Sequence, residues 1–468
     1  MDLERILLPA PAFSLKTRYR FSGHDGRVPV DRDEMLGWYR RNRARSRALF
    51  DLLSDDAYYQ QPIALRHPIV FYEGHLPAFS FNTLVKRGLG RPSIDARLEA
   101  LFARGIDPDE AAEGRQAVWP DRAVVEQFAA EADRQVVDAI AHAAVEQPGH
   151  PLLDRAEAVF TILEHEAMHQ ETLLYMWHRL PIDQKHSPPG YRPRVSGSPP
   201  SHEWVEVPGG CATLGVERRS IRFGWDNEFP SASAAVEPFA IERHDVTNER
   251  FLEFVEAGGY QQERWWTPED WRWVQTERVS HPLFWEREDG VWLWRAMFDR
   301  VQLPLSWPVY VSHAEASAYA RWRGARLPTE AEFQRAAYGS PEGERRFPWG
   351  DAEPTPSEGV FDFTSWDPEP AGSHPAGSSA WGVEDLAGNG WEWTATTFAP
   401  FSGFRAMASY PEYSSDFFDG QHFVMKGASP ATARQLIRPT FRNWFRSRYP
   451  YVYTTFRCVR SVAGQPRT

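Results

Sequence analysis

Cysteine is nearly absent from this chain: its 468 residues include two, Cys211 and Cys458. A disulfide-framed fold is therefore not expected, and a reducing cytoplasm is the expected setting. Long apolar runs are also missing. No stretch approaches the roughly 20 consecutive apolar residues of a membrane-spanning helix. The opening "MDLERILLPAPAFSLKTRYRF" lacks the basic-then-apolar order of a secretory leader. Positive charge is not in excess either. A net charge of −12 argues against a nucleic-acid binder that works by bulk electrostatics, while leaving room for local basic pockets. Small molecules are the expected partners, with no nucleic acid and no membrane.

Tryptophan is plentiful, with 20 residues set in short polar-aromatic clusters. The length exceeds one ordinary core, so two domains are expected. Residues 1–185 read as helical. Apolar residues recur at helical spacing over 33–53, 67–88, 123–146 and 154–180, with Asp33 as a candidate cap and Pro68 tolerable in a first turn. Four such helices predict an antiparallel bundle, an architecture that builds metal sites from inward-facing side chains. Residues 186–202 are rich in Pro, Gly and Ser and read as a linker. Residues 203–468 change texture. Short strand-like runs ("WVEVPGG", "PFAIERHDV") and short helices (247–259, 312–324) lie among long loops. A loop-rich α+β domain with a tryptophan core is expected there. In it, Thr329 is a candidate cap and Gly388-Asn389-Gly390 a tight turn.

The segment "EHEAMHQETLLYM", residues 164–176, carries His-Glu-x-x-His, the helical signature of zinc proteases. His165 and His169 are four residues apart and share a helix face, whereas Glu166 and Glu171 lie off it. The two histidines can share a metal ion, or they can be ordinary bundle residues. His75, in the apolar run "IVFYEGHLPAF", needs a polar partner if buried. With it, a site of three neutral imidazoles becomes possible. Such a site leaves coordination positions open for substrate and oxygen on iron, and zinc also accepts three histidines.

The C-terminal half carries "HDVTNERFLEFVEAGGY", "LPTEAEFQRAAYG", "FPWGD", "GVEDLAGNGWEWTAT" and "TFRNWF…TTFRCVRS". These segments resemble the formylglycine-generating-enzyme-like (C-type-lectin-like) fold. The founding activity of that fold uses a close cysteine pair, which this chain lacks. A C-terminal domain of this kind behind a DinB-like four-helix bundle with "HEAMHQE" resembles the ergothioneine-synthase-like (EgtB-type) non-haem iron sulfoxide synthases. These join a chalcogen donor to the imidazole of hercynine. The resemblance implies a multidomain α and α+β protein with iron(II) on His75, His165 and His169 and O2 as co-substrate. It further implies Tyr410 as the acid that delivers a proton beside the metal. Tyr413, Asn443 and Trp444 are implied to line the hercynine site, where an aromatic wall suits a trimethylammonium group.

The chain departs from the family at three places. Met168 stands where many members carry a glutamine that helps to hold hercynine. Phe445 and Tyr449 stand where γ-glutamylcysteine-using members carry an Asp–Arg clamp. Losing that clamp disfavours a zwitterionic dipeptide donor, because its charges would be left unpaired. Arg446 and Arg448 are candidates for another anion or simply solvated. The run around His75 resembles the selenoneine-synthase (SenA) branch, which uses a selenosugar. Phe79, Phe81, Asn82 and Phe445 would suit such a donor. The favoured reading is therefore carbon–selenium (or carbon–sulfur) bond formation on hercynine with a selenosugar. The alternatives are the cysteine-using sulfoxide synthase, a zinc His-Glu-x-x-His hydrolase, or a non-catalytic binding protein.

Overall fold

The computed structural model describes residues 30–103 and 118–462. It contains two compact units. The first runs to Tyr191 and takes in Arg219–Phe223 and Met407–Pro411, and the remainder forms the second.

Four main helices build the first unit. α1 spans Arg32–Phe50, where Asp31, not Asp33, is the cap; its carboxylate accepts from the Asp33 and Glu34 amides. α2 spans Ile69–Ser80 and continues as a π-helical turn over Phe81–Gly88. Pro68 precedes its first turn, and a second proline, Pro77, sits inside it. α2 is apolar on all sides and is buried accordingly. The short α3 (Ala96–Leu101) follows, then α4 (Arg122–His142) and α5 (Glu157–Arg179). α1 packs on α4 and α5, and α2 does the same. This is the expected bundle. The opening segment read for a secretory leader and residues 104–107 of the run around His75 lie outside the described residues.

The second unit is a mixture of small sheets and short helices. β1 (Trp204–Val207) and β4 (Phe239–Glu242) pair antiparallel, and β12 (Val459–Ser461) adds to β4. Between them in the chain lies the hairpin-like pair β2 (Gly210–Leu214) and β3 (Ala232–Val236). α6 (Asn248–Glu256), α7 (Pro268–Thr276), the three-stranded sheet β5 to β7 (Trp285–Glu288, Val291–Arg295, Arg300–Gln302), α8 (His313–Trp322) and α9 (Glu330–Tyr338) follow. The main sheet is β10-β9-β8-β11, built from Asn443–Arg446, His422–Ala428, Gly390–Thr397 and Thr454–Thr455. Trp391 and Trp393 of β8 share one face and are fully buried, as are Trp225, Trp285, Trp294 and Trp307 elsewhere in the unit; Glu392, on the opposite face of β8, is buried too. Thr329 caps α9 through the Glu332 amide as expected. The turn before β8 is also present: Asn389 adopts φ 67° and exchanges side-chain hydrogen bonds with the backbone of Glu369. Among the described residues no helix is long and apolar enough to cross a membrane.

Candidate metal centre

α5 presents Glu157, Thr161, His165 and His169 at successive i, i+4 positions, hence along one face. α2 presents Phe71, His75 and Phe79 in the same way. Where the two faces meet, His75, His165 and His169 each offer a ring nitrogen, and the three nitrogens lie within 4.8 Å of one another. All three side chains are buried, and burial is the largest force on their protonation. It pushes His75 down to about 4, against the opposing hydrogen bond to Phe102. It pushes His165 and His169 well below the ordinary histidine range, with the neighbouring imidazoles adding to the effect. Near neutral pH all three are uncharged, which is the form that binds a metal.

The fit to a metal can be judged from the polar atoms. His75 Nδ1 lies 2.7 Å from the Phe102 carbonyl. That carbonyl follows the last turn of α3, where backbone acceptors have no helical partner. Donation from Nδ1 leaves Nε2 as the lone-pair nitrogen, the usual outer-shell arrangement of a metal-bound histidine. Both ring nitrogens of His165 and Nδ1 of His169 are buried with no hydrogen-bond partner among the described residues. Unpaired buried imidazole nitrogens are costly unless a ligand takes them up. The donor set therefore suits a metal ion.

Aromatic rings orient the histidines. Phe79 lies parallel to His165 with centroids 3.5 Å apart and planes 10° apart. Phe71 stacks on His75 at 4.9 Å. The Tyr410 ring is 6.0 Å from His165 and 5.2 Å from Phe79. Glu166 is turned elsewhere: it pairs with Arg43 at 2.9 Å and accepts from Ser46 Oγ at 2.7 Å, all three buried. It is thus held within the α1–α5 packing by an ion pair.

The other expected site residues divide into groups. Met168 is half-buried on α5, one residue before His169. Asn82, on the π-helical turn, donates to the Glu99 carbonyl at 3.4 Å, and its own Oδ1 is buried without a hydrogen-bond partner among the described residues. In the second unit Tyr413 stacks on Trp225 at 4.0 Å and meets Trp444 edge-on at 5.2 Å. Trp444 also stacks on Phe398 at 4.2 Å. The Asn443 carboxamide accepts from the Trp444 amide. Phe445 stacks on Tyr449 at 5.0 Å and 13°. Arg448 pairs with Asp270 at 3.4 Å, and Arg446 is exposed. Both cysteines are free, Cys211 exposed and Cys458 buried; burial, reinforced by Glu242, raises the Cys458 thiol well above its ordinary range. That thiol is accordingly not a nucleophile.

Sequence reasoning missed Phe102 and Ser409. Phe102 offers only a carbonyl, and Ser409 meets α5 from a loop. Neither carries a spacing signal, although Thr161, which meets Ser409, is four residues before His165.

Residues 193–462, more than half of the chain, match the sulfatase-modifying factor enzyme 1-like domain, and residues 39–173 match the DinB superfamily. A DinB-like bundle with three convergent histidines, followed by a domain of this kind, defines a class of two-domain oxidoreductases. The chain belongs to the ergothioneine-synthase-like (EgtB-type) family of enzymes within that class. It is 38% identical over 295 residues to a hercynine oxygenase of Mycolicibacterium smegmatis, covering 60% of this chain and 67% of that one. It is 39% identical to the hercynine oxygenase of Mycobacterium tuberculosis, with 53% and 57% covered. It is 25% identical to ergothioneine biosynthesis protein 1 of Neurospora crassa, with 88% and 56% covered. The chain spans between about half and two thirds of the length of these relatives.

Proposed function

We propose that this chain is an oxygen-dependent, mononuclear non-haem iron(II) enzyme that forms a carbon–selenium or carbon–sulfur bond on the imidazole of hercynine. The observation that carries the reading is the donor set: three buried neutral imidazoles, with no carboxylate in the cluster among the described residues, beside a tyrosine ring. His75, His165 and His169 would hold the iron. Iron(II), when bound, supplies open positions for substrate and oxygen and the electrons for oxygen's reduction. Tyr410 carries a phenolic proton beside His165, and a phenol at that place can donate it to the reacting centre. Phe79 and Phe71 keep water from the ligand rings and hold their planes. Tyr413, Asn443 and Trp444 are the residues of the second unit that we assign to hercynine by family resemblance; aromatic rings suit its trimethylammonium, which cannot donate a hydrogen bond. A cytoplasmic setting is in keeping with two unbonded cysteines.

For the donor, we favour an uncharged selenosugar, with cysteine as the alternative. The stacked pair of Phe445 and Tyr449 supports an uncharged or weakly charged donor. It occupies the positions of the Asp–Arg clamp with ring faces that cannot neutralise a dipeptide's termini. The zinc hydrolase reading is disfavoured by the ion pair that holds Glu166, which leaves that reading without its general base.

The test is mass spectrometry of aerobic reactions with iron(II) and hercynine, with selenosugar, thiosugar, cysteine and γ-glutamylcysteine competing. The expected result is a hercynine–selenium adduct that vanishes without oxygen and when zinc(II) replaces iron(II). If no donor is joined to hercynine, the reading fails. Activity that persists without oxygen and dies in Glu166→Gln would establish the hydrolase instead.

A further inference from the structure

The segment Met407–Pro411 belongs to the first unit although it lies far along the chain. Ser409 is fully buried there. Its Oγ is 2.9 Å from Thr161 Oγ1 and donates to Glu157 Oε1 at 3.0 Å. Thr161 and Glu157 lie on the same face of α5 as His165 and His169, one and two turns towards its start. From the end of the π-helical turn, Arg87 donates to the carbonyls of Ala408 at 3.0 Å and Ser409 at 3.3 Å. Tyr410 is thus preceded by a residue bonded both to α5 and to the π-helical turn that continues α2. It is followed by Pro411, which bars the helical region to Tyr410 and favours extended backbone.

We propose that Ser409 and Arg87 are positioning residues that fix the Tyr410 phenol against His165. This rests on the reading of Tyr410 as the proton donor. A loop side chain without such bonds samples several orientations, whereas a reacting group must be held within about half an ångström. Here the reference for that placement is α5 itself. The hydroxyl that anchors Ser409 stands one turn from the ligand that Tyr410 faces, so metal ligand and phenol share one rigid element. A buried serine hydroxyl needs partners in any case. The arrangement goes further than satisfying it, because the backbone carbonyls on the same segment are bound as well, from a second element.

The test uses the full chain with 3-fluorotyrosine at position 410. In the metal-free protein, the fluorine resonance should be a single sharp line. Ser409→Ala, Arg87→Met and Thr161→Val should shift or split it, with thermal unfolding and cobalt(II) stoichiometry reporting that the bundle is intact. In turnover with hercynine, Ser409→Ala should lower kcat about tenfold with KM unchanged. In a Tyr410→Phe background the same substitution should change the residual rate by less than about twofold, the non-additivity of a group acting through another. An unchanged fluorine line in all three variants would overturn the proposal. So would a Ser409→Ala loss that persists in full without the phenol. If the unsubstituted enzyme does not act on hercynine, the functional reading fails, and the fluorine spectra alone decide whether the segment is anchored.

Discussion

Glu166 shows how a single residue can mislead when read by motif. In the string His-Glu-x-x-His it stands at the position of a protease base. In the fold it is fully buried against Arg43 and Ser46. Glu166→Gln is therefore expected to cost about 2–3 kcal/mol of stability, the loss of a buried charge-assisted hydrogen bond. Denaturant unfolding measures that cost, and metal stoichiometry should stay at the unsubstituted value. Phe445 and Tyr449 carry the second prediction at this scale. Their rings are stacked, so the two positions are mutual neighbours, as a clamp requires. The double variant Phe445→Asp with Tyr449→Arg should gain measurable use of γ-glutamylcysteine in the donor competition, and neither single variant should. Equal use by a single variant would show that the pair does not act as a unit.

At the level of elements, the candidate metal centre draws on a helix that offers none of its three histidines. α3 is only six residues long, and Glu99 pins its start. That carboxylate accepts from the Ile94 and Asp95 amides and from Ser93. The Phe102 carbonyl, just past the other end, orients His75. The Phe102 ring lies directly over Gly74 of α2, where an added Cβ would come within 2.4 Å of it. Gly74→Ala must displace Phe102 and with it the partner of His75 Nδ1. A drop of roughly 10–100-fold in metal affinity is expected, the usual result of losing an outer-shell partner. Competition of cobalt(II) binding against a chelator would read it, and an unchanged affinity would show that the carbonyl is not needed. The bundle helices themselves were readable from apolar periodicity to within a few residues. The change from α- to π-helical hydrogen bonding at Phe81 was not, because the expected helix over 67–88 covers both segments and apolar spacing does not report which backbone carbonyl an amide reaches.

Over the whole molecule, much of the second unit is held by buried ion pairs that tie distant segments. Arg438 and Glu228 lie 2.8 Å apart across more than two hundred residues of chain and are both buried. Burial pushes the Glu228 carboxyl up, but Arg438, Thr440 and the Trp225 amide outweigh it and hold it below the ordinary range. Its contribution to stability is thus present above about pH 4.3, the ordinary glutamate value, and is lost as pH falls through the depressed value. In Arg438→Met the carboxylate is left buried and unpaired, which should cost about 3 kcal/mol or more at pH 7. That deficit should narrow as the pH falls towards 4, because the carboxyl can then protonate. Denaturant midpoints of both proteins across that range would check it, and a deficit independent of pH would assign the loss to packing.

Sequence by itself determined the two-part architecture and the four helices, and it offered His75, His165 and His169 as candidate ligands. The architecture and the helices are written in local spacing or in a run of residues long enough to carry a pattern, whereas Met168, Phe445 and Tyr449 stand out only beside the family that the chain resembles. Only the tertiary structure decided that His75 and the α5 pair converge, that Glu166 is held by Arg43, that the Phe102 carbonyl just past α3 meets His75, and that Ser409 fastens Tyr410's segment to α5. Those facts depend on residues tens to hundreds of positions apart meeting in a packed interior. A lone serine, a glycine or a backbone carbonyl has no periodicity from which such a meeting could be read.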